Sequence, residues 1–163
     1  MVEEIIFRTD NTRNRLMLEL MDRGGMRVGE VLNLKAGDLD DRKLLIESPK
    51  SGRQSEVVII PKKVAERLYD DIRSMGTESS DRIFPIGYTG ARAIVKKSGR
   101  TVGVDLAPHD LRRHAATHAS RAGASLEIVS KVILRHANLA TTQQYLGKVS
   151  DREALHWIEN IYR

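Results

Sequence analysis

His109-Asp110-Leu111-Arg112 and, farther along, Leu134-Arg135-His136-Ala137-Asn138-Leu139-Ala140-Thr141-Thr142-Gln143-Gln144-Tyr145 decide how this chain of 163 residues is read. Both stretches lie in a half that is helical almost throughout. The pattern predicts a helix over His109–Ala122 that stops at Gly123, a helix capped by Ser125 that reaches Leu134, and a shorter one over Leu139–Leu146. A three-residue step turns a helix by about 300°, so His109 and Arg112 project from nearly the same face. An imidazole and a guanidinium at a helix start suit an anion, which the positive end of the helix dipole also favours. His114 and His118 stand at i, i+4, a spacing compatible with a metal, but no cysteine, intervening glutamate or evident third ligand accompanies them.

Upstream, Thr12–Asp22 carries Leu16, Leu20 and Met21 on one helical stripe and ends at Gly24-Gly25. Val28–Leu34 reads as a short helix with Val31, Leu32 and Leu34 facing inward. The runs Leu44-Leu45-Ile46 and Val57-Val58-Ile59-Ile60 flank the turn-rich Ser48-Pro49-Lys50-Ser51-Gly52 and predict a β-hairpin. Pro61 suits the first turn of a helix reaching Met75, Gly76–Asp81 is a polar loop, and a further helix covers Tyr88–Lys97. Ser150–Tyr162 closes the chain as an amphipathic helix with Leu155, Trp157, Ile158 and Ile161 on its apolar side. The fold class is mainly α with a small antiparallel β-hairpin or sheet.

Leu, Ile, Val and Phe make up about a quarter of the residues, above the roughly 20% at which charged chains tend toward disorder, and the length suits a single domain. The absence of cysteine removes disulfide frameworks, thiolate nucleophiles and Cys-based metal sites together. No run approaches the about 18 apolar residues of a membrane span, and the beginning of the chain lacks a signal-peptide pattern. A cytoplasmic location is therefore expected. The net charge is +5. Arg92, Lys96, Lys97, Arg100, Arg112, Arg113 and Arg121, against Asp105 and Asp110 alone, concentrate the same excess between Ile86 and Arg121. Such a window is either a solvated helical face or a phosphate-binding one, and charge alone does not choose.

The order of the motifs does choose. His109-x-x-Arg112, then His136, then Tyr145 nine residues later with Thr141-Thr142 before it, resembles the active-site half of the tyrosine recombinase (phage integrase) family. Gly25-Met26-Arg27-Val28-Gly29-Glu30-Val31-Leu32-Asn33-Leu34, continued by Asp38-Leu39, is similar to that family's first arginine box, and Lys50 stands where the family carries a hairpin lysine. The resemblance spans Arg15 to Tyr145. It implies the tyrosine recombinase catalytic-domain fold and cleavage of double-stranded DNA through a 3′-phosphotyrosyl intermediate, with rejoining that needs no metal, ATP or other cofactor.

The chemistry of the residues agrees. Breaking a phosphodiester needs a nucleophile, stabilisation of charge on the phosphoryl oxygens and a proton for the leaving oxygen. Without a carboxylate cluster to hold metal ions, guanidinium groups must meet the phosphate, and Arg27 and Arg112 are the candidates. Tyr145 is the candidate nucleophile. A phenol has a pKa near 10, so it needs a proton acceptor or a strongly positive site. The resemblance implies that His109 is the base, that His136 donates to the scissile phosphate, that Lys50 protonates the 5′-oxygen and that Glu30 orients the site. Arg92, Lys96, Lys97, Arg113 and Arg135 are expected to contact DNA.

Each residue also has an ordinary alternative. Arg27 could cap the preceding helix, Tyr145 could be a half-buried tyrosine with a bonded hydroxyl, and hairpin lysines are common. Two departures stand out: Arg135 replaces the glycine usual before the second histidine, and Gly147 replaces a histidine often found two residues after the tyrosine. Residues 1–163 read as one catalytic domain, with the family's N-terminal core-binding domain absent from this chain. A monomer is expected in the free state and a homotetramer on DNA, with residues 150–162 as the exchanged contact unless they fold back on their own core. A type IB topoisomerase-like enzyme and a DNA-binding module that does not cleave are the competing readings.

Overall fold

Helix α2 (Thr12–Arg23) is the centre of the molecule because nearly every side of it is buried. Leu16, Met17, Leu18, Leu20 and Met21 are all enclosed, and Glu19 is buried with them against Arg67 at 2.5 Å. Asn11 starts this helix by accepting the Asn14 N–H at 3.0 Å. The structure, a computed structural model, describes residues 1–47, 55–147 and 149–162, with Tyr145 described through its backbone only. Lys50 lies outside the described residues.

The elements around α2 run α1 (Val2–Arg8), α3 (Val28–Asn33), a 3-10 turn (Ala36–Asp38), β1 (Leu39–Asp40), β2 (Lys43–Glu47), β3 (Ser55–Ile59), α4 (Lys62–Met75), α5 (Tyr88–Arg100), α6 (Pro108–Arg121), α7 (Leu126–Ile128), a π-helical turn (Val129–Leu134), α8 (Leu139–Leu146) and α9 (Asp151–Ile161). The mainly helical expectation holds. The three strands form one antiparallel sheet in the order β1-β2-β3, with Leu44 opposite Val58 and Ile46 opposite Glu56. Leu44, Ile46 and Val58 point into the core while Leu45, Val57 and Ile59 face outward, the period of two that a half-buried sheet requires.

The buried faces of α4 (Val64, Ala65, Leu68) and α5 (Ala91, Val95) complete the main core, which also takes Met26, Val31, Ile83, Phe84 and Leu111. A smaller cluster of Ala116, Val129 and Leu134 joins α6 to the π-helical turn. Pro108 opens α6, and Asp110 accepts the Ala107 N–H at 2.9 Å. The i, i+4 histidines of α6 serve its packing on α2: His114 Nδ1 lies 2.6 Å from Asp22 Oδ1, and the His118 ring stacks on that of His114. Burial holds the Asp22 carboxyl above the usual range even with His114 beside it.

The structure refines three expectations. The single helix foreseen from Ser125 to Leu134 is one α-turn followed by a π-helical turn, closed where the N–H groups of Arg135 and His136 both reach the Ser130 carbonyl. Arg135, expected at a DNA phosphate, is instead 2% exposed and paired with Glu30 and Glu56, so its charge is already engaged inside the protein. The apolar side of α9 stays open: Leu155, Trp157, Ile158 and Ile161 are exposed, and the helix touches its own chain through an Arg121–Glu153 pair at 3.8 Å and Trp157 near Gly123.

Candidate active site

Three chain segments that are far apart in sequence converge on one place. The first is the turn after α2. Gly25 takes a positive φ of 64° there, which aims its carbonyl at α6 and brings Arg27 to the start of α3. The second is the beginning of α6, carrying His109 and Arg112. The third is the loop from Leu134 to Asn138, carrying His136. Arg27, Tyr88, Arg92, His109 and Arg112 line a single cavity of about 320 Å³.

Arg112 ties the three together. It is 3% exposed, and its Nη1 donates to the Gly25 carbonyl at 2.6 Å while Nη2 donates to the Leu134 carbonyl at 2.5 Å. Gly25 precedes Arg27 by two residues and Leu134 precedes His136 by two. One guanidinium thus sets the separation of the other two groups. Both of these acceptors are neutral carbonyls, and the Arg112 side chain also lines the cavity.

Glu30 performs a matching service for Arg27. One carboxylate oxygen accepts the Arg27 backbone N–H at 2.8 Å, and the other lies 3.5 Å from Arg27 Nη1. The ion pair holds the guanidinium at the helix start while the side chain stays part-exposed to the cavity. His109 is exposed at the rim, with Nε2 3.4 Å from Asp110 Oδ1. Lys96, Lys97 and Arg113 are exposed on α5 and α6, outside the cavity lining, and Lys96 lies 4.0 Å from Asp105.

His136 sits deeper. Its Nδ1 is 2.9 Å from the hydroxyl of Thr142, which α8 holds fully buried. Burial, and then the charges of Arg112, Arg27 and Arg135 in that order, push the imidazole down to about 4. The ring is therefore neutral at pH 7. In the tautomer in which the Thr142 hydroxyl donates to Nδ1, the ring proton resides on Nε2, a donor for an incoming oxygen. An unfolded imidazole takes up its proton near 6.5, before the folded one does as pH falls. Stability is accordingly full above that value and declines as pH drops toward 4. NMR titration of the His136 ring should give a midpoint near 4 in the free protein, moving upward when a phosphodiester enters. A midpoint of 6.5 in the free protein would place the ring in solvent and away from the arginines.

The order and spacing of residues identified Arg27, Glu30, His109, Arg112 and His136, and the structure brings these five together. Tyr145 belongs to α8, three residues after Thr142, and its side chain lies outside what is described. Sequence reasoning missed Thr142 as the partner of His136, Tyr88 as part of the cavity wall, and Glu56. The last had a signal: a glutamate at an inward position of a strand, in step with Val58 and Ile60, demands a buried cation. Among the described residues no cluster of three or more His, Asp or Glu side chains is arranged to hold a metal ion.

Residues 1–151 match the model of the phage integrase family. The chain belongs to that family. The tyrosine recombinase XerA of Thermococcus kodakarensis is 33% identical over 142 residues, which cover 82% of this chain and 50% of that protein. The tyrosine recombinase XerC of Mycobacterium tuberculosis is 32% identical over 146 residues, covering 82% and 49%. The chain spans about half the length of the curated relatives it matches. In three dimensions it superposes on a crystal structure of XerA recombinase with a TM-score of 0.81 and 24% identity, covering 99% of this chain and 62% of that one. The XerH recombinase bound to its difH substrate gives 0.73 and 21%, covering 99% and 51%. The fold of this phage integrase family member is thus that of the tyrosine recombinases.

Proposed function

We propose that this family member cleaves double-stranded DNA by attack of Tyr145 on a phosphodiester, forming a 3′-phosphotyrosyl bond and releasing a 5′-hydroxyl, and rejoins strands in site-specific recombination. The observation that carries the reading is the cavity that gathers Arg27, His109 and Arg112, with His136 close enough for both arginines to depress its proton affinity. A phosphate there meets two guanidinium groups that fork onto its non-bridging oxygens and a neutral imidazole N–H that donates to it. These contacts strengthen as charge builds in the transition state. His109 at the rim takes the tyrosine proton, and Lys50 supplies one to the leaving 5′-oxygen. The bond energy is kept in the phosphotyrosine, so strand rejoining is the reverse transesterification and calls for neither ATP nor metal.

Arg92, Lys96, Lys97 and Arg113 supply further phosphate contacts, each adding a salt-dependent increment of affinity. The open apolar side of α9 supports the same reading of assembly: a monomer without DNA, and a homotetramer on two duplexes that docks α9 on a neighbouring copy. Sedimentation with and without DNA distinguishes the two, and a stable tetramer without DNA would contradict the scheme. Two copies of a target site on one supercoiled plasmid, incubated in EDTA and quenched with detergent, test the chemistry. The expected product is a covalent protein–DNA adduct that is absent with Tyr145→Phe, together with recombinant circles. An adduct that survives Tyr145→Phe would rule out the named nucleophile. Relaxed circles without recombinants would point to strand rotation and release instead.

A further inference from the structure

Arg135 turns its side chain into the protein, away from the cavity lining, and its backbone is unusual as well. It adopts φ 55°, a left-handed conformation that disfavours residues with a Cβ. Glycine would fit this backbone without strain. What offsets the strain is buried: Arg135 Nη2 lies 2.5 Å from Glu30 Oε1, Nε lies 3.0 Å from Glu56 Oε2, and Nη1 donates to the Ile133 carbonyl at 3.2 Å. Every nitrogen of the guanidinium has a partner inside the protein.

The partners come from the pieces the site must hold in register. Glu30 is the carboxylate that grips both the backbone and the side chain of Arg27. Glu56 lies on β3, buried beside the core positions of the sheet. Arg135 is bonded covalently to His136, and Ile133 is the neighbour of Leu134, whose carbonyl anchors Arg112. Two guanidinium groups, Arg27 and Arg135, and two carboxylates, Glu30 and Glu56, share these contacts, with Arg27 part-exposed at the cavity.

We infer that Arg135 is a positioning residue for strand cleavage: its guanidinium locks β3 and the Arg27–Glu30 pair to the peptide that carries His136, without touching DNA. The inference rests on the cleavage reading proposed above. Glycine at this position would fit the turn without strain but would give no link to the sheet, and Glu56 would lose its 3.0 Å contact with the guanidinium. Glu56 and Arg135 are thus one device. Replacing either alone should be felt at His136.

The test compares Arg135→Gly, Arg135→Lys and Glu56→Gln with the unaltered chain, using two readouts. The first is the His136 ring signal and its titration by NMR, which does not depend on cleavage. The second is single-turnover cleavage of a nicked suicide duplex at saturating protein. A displacement of the order of 1 Å in a catalytic group can lower a rate about 100-fold, and a loss of that size is expected for Arg135→Gly with duplex affinity nearly unchanged. Arg135→Lys should recover part of it. The His136 signal should shift in Arg135→Gly and Glu56→Gln, and their combined effect should fall short of the sum of the two. If Arg135→Gly does not fold, Glu56→Gln, which keeps the shape of the side chain, carries the comparison alone. An unmoved His136 signal in a folded variant overturns the proposal. So does weakened duplex binding with a smaller salt dependence at unchanged cleavage, the signature of a phosphate contact. Absence of any adduct from the unaltered chain would instead strike the cleavage reading, while the NMR comparison still judges the strut.

Discussion

Arg112→Lys should lower single-turnover cleavage by about 100- to 1,000-fold, the range seen when one preorganised oxyanion donor is lost, while duplex affinity changes only a few-fold because the charge is kept. Lysine is not a conservative replacement at this site. The guanidinium spans two carbonyls, Gly25 and Leu134, at 2.6 and 2.5 Å, and a single ammonium on a flexible stem cannot reach both in the same geometry. Whichever carbonyl it abandons is a buried acceptor left without a donor, at a cost of about 1–3 kcal/mol. The catalytic loss should exceed what the phosphate contact alone explains, because Arg27 and His136 are spaced by those same two peptides. A thermal melt recorded beside the cleavage assay separates the two effects. A lysine variant that cleaves within about five-fold of the unaltered chain would show that Arg112 neither forks onto the phosphate nor sets the spacing.

The residues proposed to meet the phosphate were legible in the sequence because each occupies a fixed place relative to a helix start. Arg27 follows the glycine pair that ends α2, His109 and Arg112 share one face at the opening of α6, and His136 follows a helix that Ser125 begins. Periodicity also exposed the sheet, since Leu44, Ile46 and Val58 alternate with outward residues. Short elements escaped. Helix α1 has seven residues and strand β1 two, too few to display a period. Arg135 was misjudged for a different reason. A surface arginine and a buried one look alike in sequence, and only the position of Glu56 on the inner face of β3 reveals which this is. The supports behind the site, namely backbone carbonyls and Thr142, were hidden because carbonyls have no side-chain signature and a threonine bonded to a histidine depends on how α8 packs against the π-helical turn.

Gly25→Ala should be the most damaging small substitution outside the charged groups, lowering stability by at least about 2 kcal/mol and, for a chain of this size, the melting temperature by roughly 5–10 °C. Two penalties combine. Residue 25 has φ 64°, where a Cβ alone costs about 1–2 kcal/mol. That Cβ would also sit 2.6 Å from the Ile133 carbonyl oxygen and 2.9 Å from its Cγ2. The obstruction is backbone, so relief requires one of two movements. If the Ile133 peptide withdraws, it takes with it the Leu134 carbonyl that holds Arg112 and the carbonyl that accepts from Arg135. If the Gly25 peptide rotates, Arg112 loses its other anchor. Either way cleavage should fall on the order of 100-fold at a temperature where the variant is still folded. Gly29→Ala is the matched control. A Cβ there meets nothing within 4 Å and φ is not positive, so the exchange inside α3 should be neutral or stabilise by up to about 1 kcal/mol. Equal melting temperatures for the two variants would mean that the close approach of the Gly24-Gly25 turn to the π-helical turn does not exist in solution, and with it would go the explanation of how Arg112 holds the site together.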